Sequence, residues 1–149
     1  MSNSDHRYNI RVYAIIFNDK DEVLVSDEPR HGVSFTKFPG GGLEWGEGTK
    51  ECLKRELQEE LELDASIGEL FYVNDFFQVS AFRDTDQLIS FYYLISEIDF
   101  EQIQCSEHPV PMIEEGEKFR WIKRAQISPD QMTFPVDKVV AEMLRDNVV

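Results

Sequence analysis

The sequence predicts an α+β fold in which a mixed β-sheet packs against helices. Strand-forming segments come first, one long helix follows, and further strands precede a closing helix, an order typical of a sheet covered by helices. The chain has 149 residues, which suits one domain around one core. Hydrophobic residues make up 42% of it, enough for an ordinary globular core. We therefore expect residues 1–149 to form a single domain.

The N-terminal third predicts two strands and a glycine-rich segment. Residues 8–17 are rich in β-branched and aromatic side chains and predict a well-buried strand, and after an Asn/Asp turn residues 23–25 predict a second one. Residues 27–37 mix proline, glycine, histidine and charge, and we expect a loop there. The run that starts at Pro39 and continues with three glycines is not expected in regular structure; it predicts unusual backbone angles or a close approach to another group.

The rest of the chain predicts two helices and four more strands. Residues 50–61 are strongly helix-forming, with Thr49 as the expected N-cap. The expected strands are residues 67–72, 75–82, 88–95 and 117–122, with an irregular acidic connection over residues 97–115. Apolar side chains at helical spacing predict a closing helix over residues 136–145.

The excess of acidic residues argues against several classes of binding partner. Acidic residues outnumber basic ones by 29 to 15, for a net charge of -14, which argues against binding to duplex nucleic acid or to an anionic membrane. An anionic small molecule stays compatible if a bound cation mediates. Cys52 and Cys105 form no CxxC pair, which argues against a disulfide framework or a structural zinc site. No apolar run approaches the roughly 20 residues that span a bilayer, and residues 1–8 lack the apolar core of a signal peptide. We expect a cytoplasmic protein without disulfides or structural zinc.

The helix over residues 50–61 carries an unusual group of carboxylates. At 100° per residue, Leu53, Leu57 and Leu61 fall on one stripe. Glu56, Glu59 and Glu60 fall on an adjacent arc, because positions three and four apart are surface neighbours. The arc is compatible with a solvated acidic face. It is equally the ligand type that a hard divalent ion such as Mg²⁺ prefers, and the glycine-rich loop upstream favours this second interpretation.

Residues 41–63 resemble the Nudix box. The pattern of that family is Gly, five residues, Glu, seven residues, Arg-Glu, an aliphatic residue, any residue, Glu-Glu, any residue, Gly and an aliphatic residue. The chain matches every fixed polar position and both aliphatic ones: Gly41, Glu47, Arg55, Glu56, Leu57, Glu59, Glu60 and Leu63. Glu62 stands where the family has glycine, at the expected end of the helix. The resemblance implies the Nudix α/β/α sandwich and a pyrophosphohydrolase.

The resemblance also implies roles for the matching residues. Glu56, Glu59 and Glu60 would bind Mg²⁺ or Mn²⁺, with the carbonyl group of Gly41 completing the shell. Glu56, Arg55 and Glu47 would be the catalytic group. Glu56 is the candidate general base, and the guanidinium of Arg55 would pair with Glu47 and hold the helix against the loop. Glu115 precedes Trp121 by six residues, as a metal-binding or base-like glutamate does in some family members. A solvated acidic loop is the other interpretation of Glu115.

The substrate is less defined by the sequence. The resemblance implies a nucleoside diphosphate linked to another moiety, with a nucleoside triphosphate or a nucleotide sugar favoured, and it leaves a homodimer open. Aromatic residues that could stack on a base are Phe35, Trp45, Phe76, Phe77 and Tyr92. The alternatives are a non-catalytic Nudix domain that senses a nucleotide, an isoprenoid-diphosphate isomerase and an RNA 5′-end pyrophosphohydrolase. The intact box, the scattered histidines and the acidic balance argue against these three respectively.

Overall fold

A computed structural model of the protein describes residues 5–30, 32–105 and 118–146. Within these ranges the strands are β1 (Arg7–Ile15), β2 (Glu22–Arg30), β3 (Val33–Lys37), β4 (Gly40–Gly42), β5 (Ala65–Val73), β6 (Asp86–Ile98) and β7 (Lys118–Lys123). The α-helices are α1 (Thr49–Leu61) and α2 (Pro135–Arg145), and short 3₁₀ helices lie at Phe100–Gln102 and Pro129–Gln131. The chain folds as two compact units, one from the described residues of Met1–Ala14 and Gly40–Glu97, the other from those of Ile15–Pro39 and Ile98–Val149.

The first unit is built on a four-stranded sheet in the order β4-β1-β6-β5. Side chains alternate along β1, so that Val12 and Ala14 are fully buried while Arg11 and Tyr13 point to the other face of the sheet. The short strand β4 pairs antiparallel with β1 and places Gly42 opposite Arg11. This pairing sets the glycine-rich segment beside a charged residue of β1.

Helix α1 packs against β4 and β5 in the same unit. Cys52, Leu53 and Leu57 are fully buried, and each buried leucine contributes about 1.5–3 kcal/mol by leaving water. The expected N-cap is wrong by one residue: the N-cap is Gly48, whose N–H donates to the side chain of Glu51. At its other end the helix stops at Glu62, whose φ of 58° lies in the left-handed region. Glycine adopts that conformation freely, whereas Glu62 adopts it at a cost of about 1–2 kcal/mol.

The second unit is built on a three-stranded antiparallel sheet in the order β3-β2-β7. Val23, Leu24 and Val25 of β2 are fully buried at its centre. Helix α2 begins at Pro135, a residue whose fixed φ suits the first helical turn. Its buried side chains include Val140 and Leu144, which are four residues apart and form the expected apolar stripe.

Several expected elements differ from the structure. Residues 27–37 are not a loop, because β2 continues to Arg30 and β3 returns alongside it. Gly40–Gly42 is a strand, although the expected close approach is confirmed: a Cβ on Gly40 would overlap the backbone of Val12 and Tyr13.

The expected strand over residues 75–82 is absent from the part of the chain that the structure describes, apart from one bridge between Val79 and Gln87. The side chain of Asn74 explains its loss. Its Oδ1 accepts from the backbone N–H of Ser90 at 2.8 Å, and its Nδ2 donates to the carbonyl oxygens of Phe76 and Leu88. The amide therefore takes hydrogen bonds that a continuing strand would make, and β5 ends at Val73.

No helix among the described residues is long and apolar enough to cross a lipid bilayer.

Candidate active site on the first helix

Arg55 joins helix α1 to the loop that precedes it. Its Nε and Nη2 atoms donate to the two carboxylate oxygens of Glu47 at 3.0 and 2.7 Å, a bidentate pair. Nη2 also donates to the carbonyl oxygen of Gly42 at 3.2 Å. Nη1 donates to Glu56 at 3.0 Å and to Glu59 at 3.3 Å. One guanidinium thus connects the end of β4, the loop and two of the three helical carboxylates.

Glu47 is held as an anion. The guanidinium of Arg55, and next the backbone N–H of Glu44 at 2.9 Å, lower the pKa of Glu47 to about 2. The Glu47 carboxylate in turn raises the pKa of Arg55 above its ordinary value. The pair is therefore charged at every physiological pH, as the sequence predicts for a structural link between helix and loop.

Glu56 lies directly against the backbone of Gly41. A Cβ on Gly41 would overlap the carboxyl carbon and both carboxylate oxygens of Glu56. Only glycine leaves room for this approach, which explains the residue at position 41. Because Gly41 is in β4 and Glu56 is in α1, the packing of helix on strand sets the contact. The Glu56 carboxylate is mostly buried, with 15% of its side chain exposed.

Glu59 and Glu60 differ in their surroundings. The side chain of Glu59 is largely exposed, whereas Glu60 is partly buried and its Oε2 atom is shielded from solvent. Over residues 5–30, 32–105 and 118–146, no three His, Cys, Asp or Glu side chains converge in an arrangement ready for a metal ion. Glu56 and Glu59 both contact the guanidinium of Arg55. The donor chemistry, carboxylates on one helix beside a glycine backbone, fits a hard divalent cation.

Glu115, the fifth expected metal ligand, lies outside the described residues, and its role stays a prediction.

Arg11 and Tyr13 were not predicted from the sequence. Arg11 lies opposite Gly42, and a Cβ on that glycine would be 3.1 Å from the Nη1 atom of Arg11. Arg11 donates from Nε to the hydroxyl oxygen of Tyr13 at 3.2 Å. Burial lowers the pKa of Arg11, but the Tyr13 hydroxyl and the Glu56 carboxylate outweigh it, so the pKa is raised overall. The two-residue alternation of β1 was the signal that could have identified this face.

Cys52 is a buried thiol under the same network. Its Sγ donates to the carbonyl oxygen of Gly42 at 3.4 Å. Burial, and then the Glu47 carboxylate, raises the pKa of Cys52 to about 12. The thiol is therefore protonated and unsuited to act as a nucleophile.

The aromatic residues that could stack on a substrate differ in burial. Tyr92 is 1% exposed and Phe35 stacks on Phe134, so both serve packing. Trp45 is fully exposed in the loop between β4 and α1. Phe76 and Phe77 are exposed in the first unit, where Phe77 helps to line a cavity of about 420 Å³.

Comparisons with known proteins show which family and which folds this chain resembles. Residues 7–143 match the family model of the NUDIX domain. A structure from a study of MutT of Aliivibrio salmonicida and Vibrio cholerae is 26% identical, with a TM-score of 0.66, over 94% of this chain and 98% of that one. The E. coli ORF135 protein is 21% identical, with a TM-score of 0.70, over 92% and 88%. MutT from Methanosarcina mazei Go1 is 20% identical, with a TM-score of 0.66, over 95% and 96%. A comparison with curated proteins gave no match.

The likeness to these structures confirms the predicted fold class, the Nudix α/β/α sandwich with a mixed β-sheet and two helices.

Proposed function

Since this chain belongs to the NUDIX family and is a Nudix pyrophosphohydrolase, we propose that its substrate is a nucleoside diphosphate linked to another moiety. A nucleoside triphosphate or a nucleotide sugar is the class proposed. The observation that carries the proposal is the network around Arg55. It binds Glu47, Glu56 and Glu59 at once and joins the catalytic helix to the glycine-rich segment.

The proposed cofactor is Mg²⁺ or Mn²⁺. Glu56, Glu59 and Glu60 would hold it, with the carbonyl group of Gly41 and the side chain of Glu115 as further ligands. The contact between Gly41 and Glu56 supports this choice of ligands, because it brings the Gly41 backbone and the Glu56 carboxylate close together. When bound, the ion would neutralise phosphate oxygens and lower the pKa of water.

The roles proposed for this chain's own side chains follow from their contacts. Glu56 would accept the proton of the attacking water, because it is mostly buried and fixed against Gly41. Arg55 and Glu47 would act as positioning residues that keep Glu56 in place. Each of these assignments is part of the proposal.

A screen for phosphate release with Mg²⁺ tests the function. It should cover nucleoside triphosphates, nucleotide sugars, ADP-ribose, dinucleoside polyphosphates and coenzyme A. We expect the double variant Glu59→Gln/Glu60→Gln to lose at least about 100-fold in kcat while it unfolds at an unchanged or higher temperature, because two repelling charges are gone. The matched control, Glu69→Gln/Glu97→Gln, removes two exposed carboxylates outside residues 41–63 and should keep full activity.

Calorimetric titration with Mg²⁺ should give a binding signal for wild type and none for the Glu59/Glu60 double variant. Equal turnover and equal Mg²⁺ binding in wild type and double variant would refute the metal assignment.

The organisation of the protein is proposed on similar grounds. One family model spans residues 7–143, which supports a single Nudix domain over residues 1–149. A homodimer and a cytoplasmic location stay predictions.

A further inference from the structure

Arg11 is a half-buried cation at the edge of the site, and its place is set by β1. Residues alternate between the two faces of a strand, so Arg11 and Tyr13 share one face while Val12 lies in the core. The antiparallel register sets Arg11 opposite Gly42. Since glycine has no side chain, the guanidinium can lie over the backbone of β4, with its Nη1 atom close to the position of a Gly42 Cβ.

The side chain of Arg11 is oriented by Tyr13. The Tyr13 hydroxyl accepts a hydrogen bond from Nε, and the guanidinium carbon is 5.9 Å from the centre of the Tyr13 ring. The Tyr13 ring stacks in turn on Tyr92, with centroids 5.2 Å apart, and Tyr92 is almost completely buried. Because the two tyrosine rings already hold the Arg11 side chain in place, it loses little conformational freedom when it binds a ligand.

The two terminal nitrogens of Arg11 are the atoms available to a ligand. Nε is taken by Tyr13, while Nη1 and Nη2 have no hydrogen-bond acceptor among the described residues. Arg55 is the opposite case, because its Nε, Nη1 and Nη2 atoms all donate to protein oxygens. A phosphate that contacted Arg55 would have to displace those bonds, whereas Arg11 can bind one with its protein contact intact.

The negative charges around Arg55 explain why a further cation is needed at the site. Glu47, Glu56 and Glu59 surround Arg55 and leave that network negative, in a chain whose net charge is already -14. A diphosphate that approaches Glu56 is repelled unless positive charge meets it. Arg11 is near enough to Glu56 for the two charges to interact, and it presents a planar pair of donors that matches phosphate oxygens.

We propose that Arg11 binds a non-bridging phosphate oxygen of the diphosphate substrate through Nη1 and Nη2, with Tyr13 as its positioning residue, a role that rests on the function proposed above. It acts on the phosphate chain and not on the base or sugar. Arg11 therefore contributes to affinity for every diphosphate that the enzyme accepts.

Steady-state kinetics and anion binding test this role. We expect Arg11→Gln to raise KM at least about tenfold with a smaller change in kcat, since it removes a charge-assisted contact to the substrate. Arg11→Lys should recover part of the loss, because it restores the charge without the fork. The control is Lys54→Gln, which removes one exposed positive charge from α1 and should leave KM unchanged.

Imidodiphosphate with Mg²⁺ is a non-hydrolysable probe of the phosphate contact. Calorimetry should show at least about tenfold weaker binding of this probe to Arg11→Gln than to wild type or Lys54→Gln. Equal affinity and equal KM in wild type and Arg11→Gln would overturn the role of Arg11. Such a result would leave the proposed function standing, whereas that function fails only if wild type releases no phosphate from any substrate of the screen.

Discussion

The backbone of Gly41 lies so close to the Glu56 carboxylate that position 41 can hold no side chain without moving the helix or the carboxylate. Three other residues of the first unit form a second close contact, in which one buried carboxylate accepts hydrogen bonds from two side chains. Asp86 is 2% exposed and accepts from Arg7 at 2.8 Å and from Asn9 at 3.3 Å. At the scale of one residue, therefore, a particular close contact fixes the place of each of these two carboxylates.

The variant Gly41→Ala tests the first of these contacts. Its methyl group would push away the carboxylate end of the Glu56 side chain, which can move, so the unfolding free energy should fall by less than the about 1–3 kcal/mol of an overpacked core. We expect kcat to fall at least about tenfold, because Glu56 leaves its place. Urea unfolding and phosphate release measure the two effects. Gly48→Ala is the control, since its added methyl group would meet only the flexible end of the Glu51 side chain and should leave kcat close to wild type.

Asp86 should make stability depend on pH in the acid range. The Arg7 guanidinium holds the pKa of Asp86 below its ordinary value of 3.8. A carboxyl group whose pKa is lowered by folding stabilises the native state above its ordinary pKa, and the contribution is lost as pH falls through the lowered value. Wild type should therefore be more stable than Asp86→Asn at pH 7, and the difference in unfolding free energy should shrink below pH 3.8. A difference that stays constant down to pH 2 would contradict this assignment.

Helix α1 is the element on which sequence and structure agree best. Its helix-forming residues and its apolar stripe are local signals, so its limits follow from the sequence within one residue. Leu53 and Leu57 of the predicted stripe are buried, whereas Leu61 is only partly buried. The link between Arg55 and Glu47 follows from the family pattern. Strand β3 and the segment after β5 depended instead on distant partners. β3 exists because β2 pairs with it, and β5 ends because Asn74 binds Ser90, 16 residues away. Composition of the segment itself carries no trace of such partners.

The role of Arg11 illustrates the same limit within the site. Alternation along β1 predicts which face its side chain occupies. Its position beside Gly42 depends on the register between β1 and β4, and a shift of one residue would place it elsewhere. The metal ligands proposed on α1 needed no register, because these residues lie on one helix at fixed spacing.

The connection between α1 and its loop can be tested with Arg55→Lys. Lysine keeps the charge but cannot make the bidentate pair with Glu47 and also reach Glu56. We expect kcat to fall on the order of 10- to 100-fold, because the loop and Glu56 lose their common support. Arg124→Lys removes a similar fork from Asp21 in the second unit and should keep the wild-type rate, measured in the same phosphate-release assay. If both variants lost activity equally, the effect would not be specific to the network of α1.

At the scale of the whole molecule, the net charge of -14 sets the electrostatic background. Repulsion between like charges opposes folding and is screened by salt, with a Debye length of about 30 Å at 0.01 M and about 8 Å at 0.15 M. The carboxylates of Glu56, Glu59 and Glu60 on α1 also repel one another.

Salt should therefore stabilise this protein. Between about 10 and 200 mM NaCl we expect Tm to rise by about 2–4 °C, which corresponds to about 1 kcal/mol at this chain length. MgCl₂ at equal ionic strength should raise Tm further, because binding to the native site adds to screening. Differential scanning calorimetry separates the two effects. A Tm that falls with NaCl would show that attractive pairs such as Arg120–Asp27 outweigh the general repulsion.

The exposed indole of Trp45 provides a built-in optical reporter of the site. The chain has two tryptophans, and Trp121 is partly buried with its ring edge-on to Phe100. Trp121→Phe would leave one fluorophore, whose ring is surrounded by water and stands in the loop between β4 and α1. Without a ligand, this indole would emit at the long wavelength that is typical of a hydrated indole. Any nucleotide that covered the loop would shift that emission to shorter wavelength, so that binding could be followed in real time without a labelled substrate.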